Sequence, residues 1–454
     1  MIGATGTVAS YTPVAGDSFV LYGGDTWVAS DLGINTCPSG CWNGTSGAPI
    51  SITVDKTWFT GASWARPIFN CQNTTCTLTG GSVMWLYSDY WILDNVEFTG
   101  YRQTTGGGNI ITTIGAGVEV KNTYIHGFSR DSGSSGNNSF AFSTNFSSGS
   151  GGAGSSFHDN VIDGSDSPNQ DFMGGVLHGP AVYNNVIRYV YNGMNGVFND
   201  IHANLVEYNY VATSGDHCNM IFPQDLFSGT TIKIYNNVIR HAGCSGGTVL
   251  FTLANSSNTS AIAYQYNNVL YDNATASSEG IGSGGHNPTG VYYDYNNTVQ
   301  ASGSNCFGNG EAPNTKSVTN WENNHCISGL APCIGTGTTC NDLGGNITQT
   351  LAAANSAGYN ASQTYAYSPI SSGSPTVGTG NNLTGSCSGA LADLCADTTY
   401  PEYDSVNHVV VFRSANSRPS SGAWGSGAYQ FVGGVFTGMG IAGPAISAGP
   451  STKH

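Results

Sequence analysis

One short phrase recurs along the chain: Tyr183-Asn184-Asn185-Val186-Ile187-Arg188, Tyr235-Asn236-Asn237-Val238-Ile239-Arg240, Tyr266-Asn267-Asn268-Val269-Leu270 and Tyr295-Asn296-Asn297-Thr298-Val299. Looser copies lie at Leu93-Asp94-Asn95-Val96, Val120-Lys121-Asn122-Thr123, His158-Asp159-Asn160-Val161-Ile162, His202-Ala203-Asn204-Leu205-Val206 and Glu322-Asn323-Asn324-His325. Their last asparagines stand at 95, 122, 160, 185, 204, 237, 268, 297 and 324, with gaps of 27, 38, 25, 19, 33, 31, 29 and 27. So variable a period argues against paired helices, whose lengths must match from repeat to repeat. A solenoid of β coils tolerates it, because surplus residues leave as loops between short strands. Each copy sets β-branched residues straight after an asparagine, as in a strand leaving a turn. Coils stacked about 4.8 Å apart would pile these asparagines into a ladder of amide hydrogen bonds.

Composition supports an all-β chain. Charged residues are only 9% of it, yet 24 Tyr, 18 Phe and 8 Trp supply a core, so the chain folds. Small polar turn formers outweigh the helix formers Leu, Glu and Lys. A net charge of −15 with 12 Lys plus Arg leaves no basic stripe for nucleic acid, and it weakly disfavours a strongly anionic polysaccharide, which a local basic cluster could still handle. Apolar runs never approach the roughly 20 residues that cross a membrane as a helix. The twelve cysteines fall into neighbours, Cys37/Cys41, Cys71/Cys76, Cys218/Cys244, Cys306/Cys326, Cys333/Cys340 and Cys387/Cys395, which reads as disulfides of an extracellular protein. Residues 1–5 have neither a basic start nor an apolar stretch, so no signal peptide is expected within this chain. A monomer is expected.

The recurring phrases resemble the coil repeats of the pectate-lyase-like superfamily, with its asparagine ladder at one turn. The resemblance is strong over residues 80–330. Gly373-Ser374-Pro375-Thr376-Val377-Gly378 and the stretch from Arg418-Pro419 to Phe431 are similar to the closing coils of bacterial secreted members. It implies a single-stranded right-handed parallel β-helix with loop insertions and a polysaccharide partner. Residues 1–80 then form an N-terminal cap and first coils, 81–330 the central coils, 331–432 the closing coils, and 433–454 a Gly/Ala/Pro-rich tail. Members include polysaccharide lyases, glycoside hydrolases, uronate epimerases, esterases and adhesins, so the chemistry must come from the site.

Residues at matching offsets become neighbours in such a stack. Three positions after the marker stand Asp163, Arg188, Glu207, Arg240, Tyr271 and Gln300. The alternating charges read as a stabilising ladder on the outer face, or else Arg188 and Arg240 bind a substrate carboxylate. Eleven or twelve positions after the marker stand Asp171, Asp216 and Glu279, with Asp171 and Asp216 about 9–10 Å apart by coil rise. That loosely suits the two carboxylates of inverting glycoside hydrolysis, although aspartates at turns also bond backbone amides. If Cys218 and Met220 look inward, Asp216 shares their side unless it belongs to the turn, and His217 and Asn219 point outward together, histidine being a side chain that changes charge near neutral pH. His178, Asn195 and His241 are expected near the same face as substrate contacts. The favoured expectation is a glycoside hydrolase using Asp171, Asp216 or Glu279 with His217. The alternatives are a lyase or epimerase, with Arg188, Arg240 or Lys233 neutralising a uronate and His217 or Tyr271 as base, and a glycan-binding module without catalysis. No cofactor is required. Calcium, common in β-helix lyases, suits the surplus of acids, but no loop has a defined ligand spacing.

Overall fold

The computed structural model describes residues 11–28, 34–36, 41–76, 82–104, 108–131, 139–145, 151–168, 173–209, 218–224, 230–243, 247–254, 261–276, 278–285, 290–308, 317–333 and 338–433. Its strands stack almost entirely in parallel, each pairing with its counterpart one coil away. Every central coil presents three faces. A strand such as Phe140–Thr144 enters on a loop-flanked face, Ser156–His158 follows on a pre-turn face, and Val161–Asp163 leaves on a post-turn face. The first two faces merge where one strand bends round the corner, as in Gly174–Tyr183 and Met194–His202. Their mutual register shifts between Leu177 and Gly179, next to His178 with its positive φ of 58°.

Among the described residues, one connection keeps a constant length. From His158 to His325, two residues always separate the pre-turn strand from the post-turn strand, and they have different tasks. The first adopts a left-handed conformation (Asp159, Asn184, Ala203, Asn236, Asn267, Asn296, Asn323), which asparagine tolerates better than most residues. The second points inward. Asn160, Asn185, Asn204, Asn237, Asn268, Asn297, Asn324 and Asn346 form an unbroken ladder, each amide Nδ2 donating to the next Oδ1 at 3.0–3.2 Å. The asparagines from 160 to 324 are wholly buried. Two markers need correction. Asn95 and Asn122 have φ of 64° and 54° and belong to the left-handed column. The ladder position of that second coil is Thr123, whose N–H and hydroxyl both donate to Asn160 Oδ1.

The interior is a continuous stack of apolar side chains. Leu93, Val120, Phe157, Val182, Ile201 and Ile234 line it on the pre-turn side, and Phe98, Ile125, Ile162, Ile187, Val206, Ile239 and Leu270 on the post-turn side. The outward residues Val161, Val186, Leu205, Val238 and Val269 are wholly buried too, because the C-terminal segment covers them. This corrects the expectation that residues 331–432 wind on as closing coils. After Ile347–Gln349 the chain forms the helix Leu351–Ser356 and then runs back along the post-turn face. Tyr359 meets His325, Tyr367 meets Tyr271, Glu402 meets Arg240, and His408 meets Tyr124. The antiparallel hairpin of Pro401–Asp404 and Val409–Phe412 ends this return path.

Disulfides join Cys71 to Cys76, Cys306 to Cys326, Cys333 to Cys340 and Cys387 to Cys395. Cys41 and Cys218 are also disulfide-bonded, and their expected partners Cys37 and Cys244 lie outside the described residues. No described helix is long and apolar enough to cross a membrane.

Candidate functional site

The column at offset three stacks in register, and its charges are spent on one another. Arg188 Nε lies 3.2 Å from Glu207, Arg240 Nε lies 2.7 Å from Glu207, and Arg240 also binds Tyr271 and Glu402. The Arg188 guanidinium is further sandwiched by the rings of Tyr189, Tyr208 and Tyr403. Both arginines thus fasten the C-terminal cover to the coils, and neither faces an open groove, contrary to the expected substrate contact. Glu279 is buried, and its carboxylate accepts from the N–H groups of Ser302 and Gly303 and from the Ser302 hydroxyl. It organises the next coil's turn and is not poised for hydrolysis. Asn219 is buried as well, contrary to the parity argument. At the entry to a strand it accepts from Thr248 N–H and Oγ1, serving the next coil's backbone. His241 stacks on Tyr208 and pairs with Asp272 at 2.9 Å. His178 Nδ1 accepts from Val197 N–H, and Asn195 Oδ1 accepts from Gln224, both at the loop-flanked face. Asp171, Asp216 and His217 lie outside the described residues.

Among the described residues, a dense array of ionisable groups lies on the pre-turn face. Counted from the ladder position, the residues two and four places earlier point outward and stack from coil to coil. One column runs Lys121, His158, Tyr183, His202, Tyr235, Tyr266, and the other Glu119, Ser156, Ala181, Asp200, Lys233, Tyr264. The rings of the first column lie face to face. Centroids are 4.6 Å apart for His158–Tyr183, 4.7 Å for Tyr183–His202, 4.6 Å for His202–Tyr235 and 4.7 Å for Tyr235–Tyr266. That spacing matches the coil rise, so each ring face is taken by a neighbour and only the polar edges turn outward.

Carboxylates grip both histidines. His158 Nδ1 is 2.6 Å from Asp159 and Nε2 is 2.8 Å from Glu119, while Lys121 lies 2.9 Å from the same Glu119 oxygen. His202 Nδ1 is 2.7 Å from Asp200, whose other oxygen binds Lys233 at 2.5 Å. The hydrogen bond from His158, helped by Lys121, outweighs burial and holds Glu119 down at about 2. Burial works against a charged His158, but Asp159 and Glu119 prevail and raise its pKa. Burial would lift Asp200, and His202 and Lys233 pull it below the ordinary carboxylate range. Burial, with Asp159 and Glu119 nearby, raises the Tyr183 phenol and keeps it protonated. Segment 383–395 closes one end of the strip, packing Leu394 and Leu391 against Tyr235, Tyr266 and Tyr264.

Chemically, the strip offers a cationic histidine, a neutral phenol and an oriented imidazole in one stack, with two ammonium groups beside them. An Nδ1–H donated to Asp200 would leave His202 Nε2 with the free lone pair, a tautomer set by its carboxylate neighbour. Glu119 and Asp200 are held below the ordinary carboxylate range, so neither of these two is the protonated acid that glycoside hydrolysis requires. Among the described residues, no three His, Cys, Asp or Glu side chains converge to hold a metal ion. Offsets of two and four before the marker would have found the strip in the sequence. Reading only the positions after the marker misses it.

The fold is that of a parallel β-helix. No protein-family model matches the chain, and no curated protein matches it significantly in sequence. Among solved structures it is similar to a PL6 family polysaccharide lyase from Pseudopedobacter saltans, at 11% identity and a TM-score of 0.39 over 75% of this chain and 90% of that one. The GH136 lacto-N-biosidase from Eubacterium ramulus gives 13% identity and a TM-score of 0.40 over 76% and 64% of the two chains. The PL6 family alginate lyase AlyGC gives 13% and 0.38 over 75% and 49%.

Proposed function

We propose that this chain is an extracellular carbohydrate-active enzyme that cleaves a uronate-containing polysaccharide by elimination, with the pre-turn strip as its active site. One observation carries the reading: His158, Tyr183 and His202 stand in one outward-facing stack, with Lys121 and Lys233 on the adjoining positions. The ammonium groups of Lys121 and Lys233 neutralise the uronate carboxylate and acidify its α proton, while protonated His158, with both ring nitrogens on Asp159 and Glu119, offsets the charge of those two carboxylates. The lone pair of His202 Nε2 takes that proton. The electrons of the broken C–H bond form a carbon–carbon double bond, and the glycosidic C–O bond breaks. Tyr183 gives its phenolic proton to the leaving oxygen. Such acid–base groups typically contribute about a hundredfold to ten-thousandfold each. The cysteine pairing supports an oxidising compartment, and a strip repeating at the coil rise suits an extended polymer.

The test is incubation with polygalacturonate, alginate and a neutral β-glucan, following both the ultraviolet absorbance of an unsaturated sugar and the release of reducing ends. Absorbance growing in step with reducing ends supports elimination. Reducing ends without absorbance would make the enzyme a hydrolase, and binding without any product would make it a glycan-binding module.

A further inference from the structure

A second feature of the same edge is unused by this chemistry. Where later coils pass from pre-turn to post-turn strand in two residues, the coil after Ile50–Val54 inserts the whole stretch from Asp55 to Pro67 before Ile68–Thr74. The insertion is rich in aromatics. It opens with a short turn, Lys56–Trp58, capped by the Asp55 side chain, which accepts from Thr57 N–H at 2.9 Å. Phe59 and Trp64 meet edge to face at 5.5 Å, Tyr22 joins them from the preceding coil, and the Lys56 ammonium lies 5.1 Å over the Trp64 ring. These contacts make a fixed base. Trp58 is left out of it: it is 52% exposed, the most exposed tryptophan among the described residues, and no described ring or cation lies against it.

The insertion departs from the end of the polar strip. Thr53, just before it, donates to Asp94 at 3.4 Å, and Asp94 is one coil from Lys121 and accepts from Asn122 at 2.7 Å. Three coil rises, about 14 Å, separate this edge from His158 along the solenoid axis. A glycan lying on the strip and running along the axis therefore reaches the insertion a few sugar units from the reacting bond. The two regions offer different contacts. On the strip the ring faces are consumed by stacking, so its contacts are hydrogen bonds and ion pairs. At Trp58 a ring face is open, which suits the apolar face of a pyranose, while the Lys56 ammonium of the same insertion lies over Trp64.

We propose that the 55–67 insertion is a remote sugar-binding subsite, with Trp58 stacking on one pyranose unit of the same polysaccharide that occupies the strip. The inference rests on the reading of the strip as a glycan site. Binding energy collected so far from the reacting bond holds long chains in register and gives nothing to short ones.

The test uses the full chain carrying Tyr183→Phe, to suppress turnover, and measures dissociation constants for short and long oligomers of galacturonate, mannuronate and glucose. Trp58→Ala is expected to weaken the long oligomers that bind by about fivefold to tenfold, on the scale of one aromatic contact. Short oligomers and the melting temperature should be unaffected, and Trp58→Phe should keep most of the affinity. Long oligomers bound equally well by Trp58→Ala, or short and long weakened alike, would overturn the subsite while leaving the strip intact. If no oligomer of any kind binds the Tyr183→Phe chain or the wild type, the glycan reading of the strip falls, and the subsite with it.

Discussion

Arg240 and Glu402, 162 positions apart in sequence, meet in a two-point ion pair, with Nη1 to Oε1 at 3.1 Å and Nη2 to Oε2 at 3.0 Å. The pair ties the C-terminal return segment to the middle of the solenoid, over the apolar stripe of Val186, Leu205 and Val238. Glu402→Ala removes both acceptors from a largely buried guanidinium and is expected to cost about 2–4 kcal/mol. The segment around residues 397–433 should then become cleavable by protease before the coils melt. Limited proteolysis beside a thermal melt checks this, and unaltered cleavage would show that the cover is held without the pair.

Neighbouring asparagines of the repeat should respond very differently to substitution. Asn236 supplies only a left-handed backbone at φ 57°, which glycine adopts at little cost. Asn237 accepts from Asn204 N–H at 3.0 Å and donates to Ile201 C=O at 3.1 Å, in a wholly buried place. Asn237→Ala orphans both groups, at about 1–3 kcal/mol each. Asn236→Gly is expected to change stability by less than about 1 kcal/mol. Chemical denaturation of the two variants decides it, and equal losses would refute the division of labour.

The same division explains what the sequence makes legible. The two-residue turn has fixed length and two distinct backbone demands, so it repeats recognisably, and offsets counted within its flanking strands hold: Asp163, Arg188, Glu207 and Arg240 do stack. Offsets of eleven or twelve cross connections of unequal length, and of the three acids found that way only Glu279 lies within the described residues. Glu279 ends caged by Ser302 and Gly303. Alternation fails for Asn219 because the backbone is irregular there and bends at Met220 before the strand begins at Ile221. The return path of the C-terminus left a weaker trace. In Val186-Ile187 and Val238-Ile239 successive residues face opposite ways, and both are wholly buried. An apolar outward column of that kind demands a covering layer, which no single copy of the phrase announces.

A pH-dependent contact lies where the hairpin tip meets the coils. His126 bridges Asp166 at 2.7 Å and Glu97 at 3.2 Å and stacks on Tyr124, whose other face carries His408. Burial opposes its charge, but the two carboxylates raise its pKa to about 9, against about 6.5 in the unfolded chain. A raised histidine contributes stability that is fully present below the unfolded value and is lost as pH rises through the folded one. The stability advantage of wild type over His126→Gln should therefore be complete near pH 6 and largely gone above about pH 9, a change of about 2 kcal/mol after allowing for the exposure of Asp166. Denaturation of both proteins across that range checks it, and a difference that stays flat would show that folding leaves the pKa of the histidine unshifted.

If the strip acts as proposed, its members should fail in distinguishable ways. His202→Ala removes the base and Tyr183→Phe the proton donor, so each should lower kcat by about a hundredfold or more with little change in KM. Asp200→Asn keeps the imidazole but loses the ionised partner that fixes its tautomer, and Lys233 loses its counter-ion at the same time. Its kcat should fall less than that of His202→Ala, and its pH profile should shift. Lys233→Met, which removes a charge aimed at the uronate, should raise KM for charged substrate and leave a neutral glycan's binding unchanged. Steady-state kinetics on whichever polymer yields the unsaturated product separates these outcomes. Full activity in both His202→Ala and Tyr183→Phe would move the reaction off this face altogether.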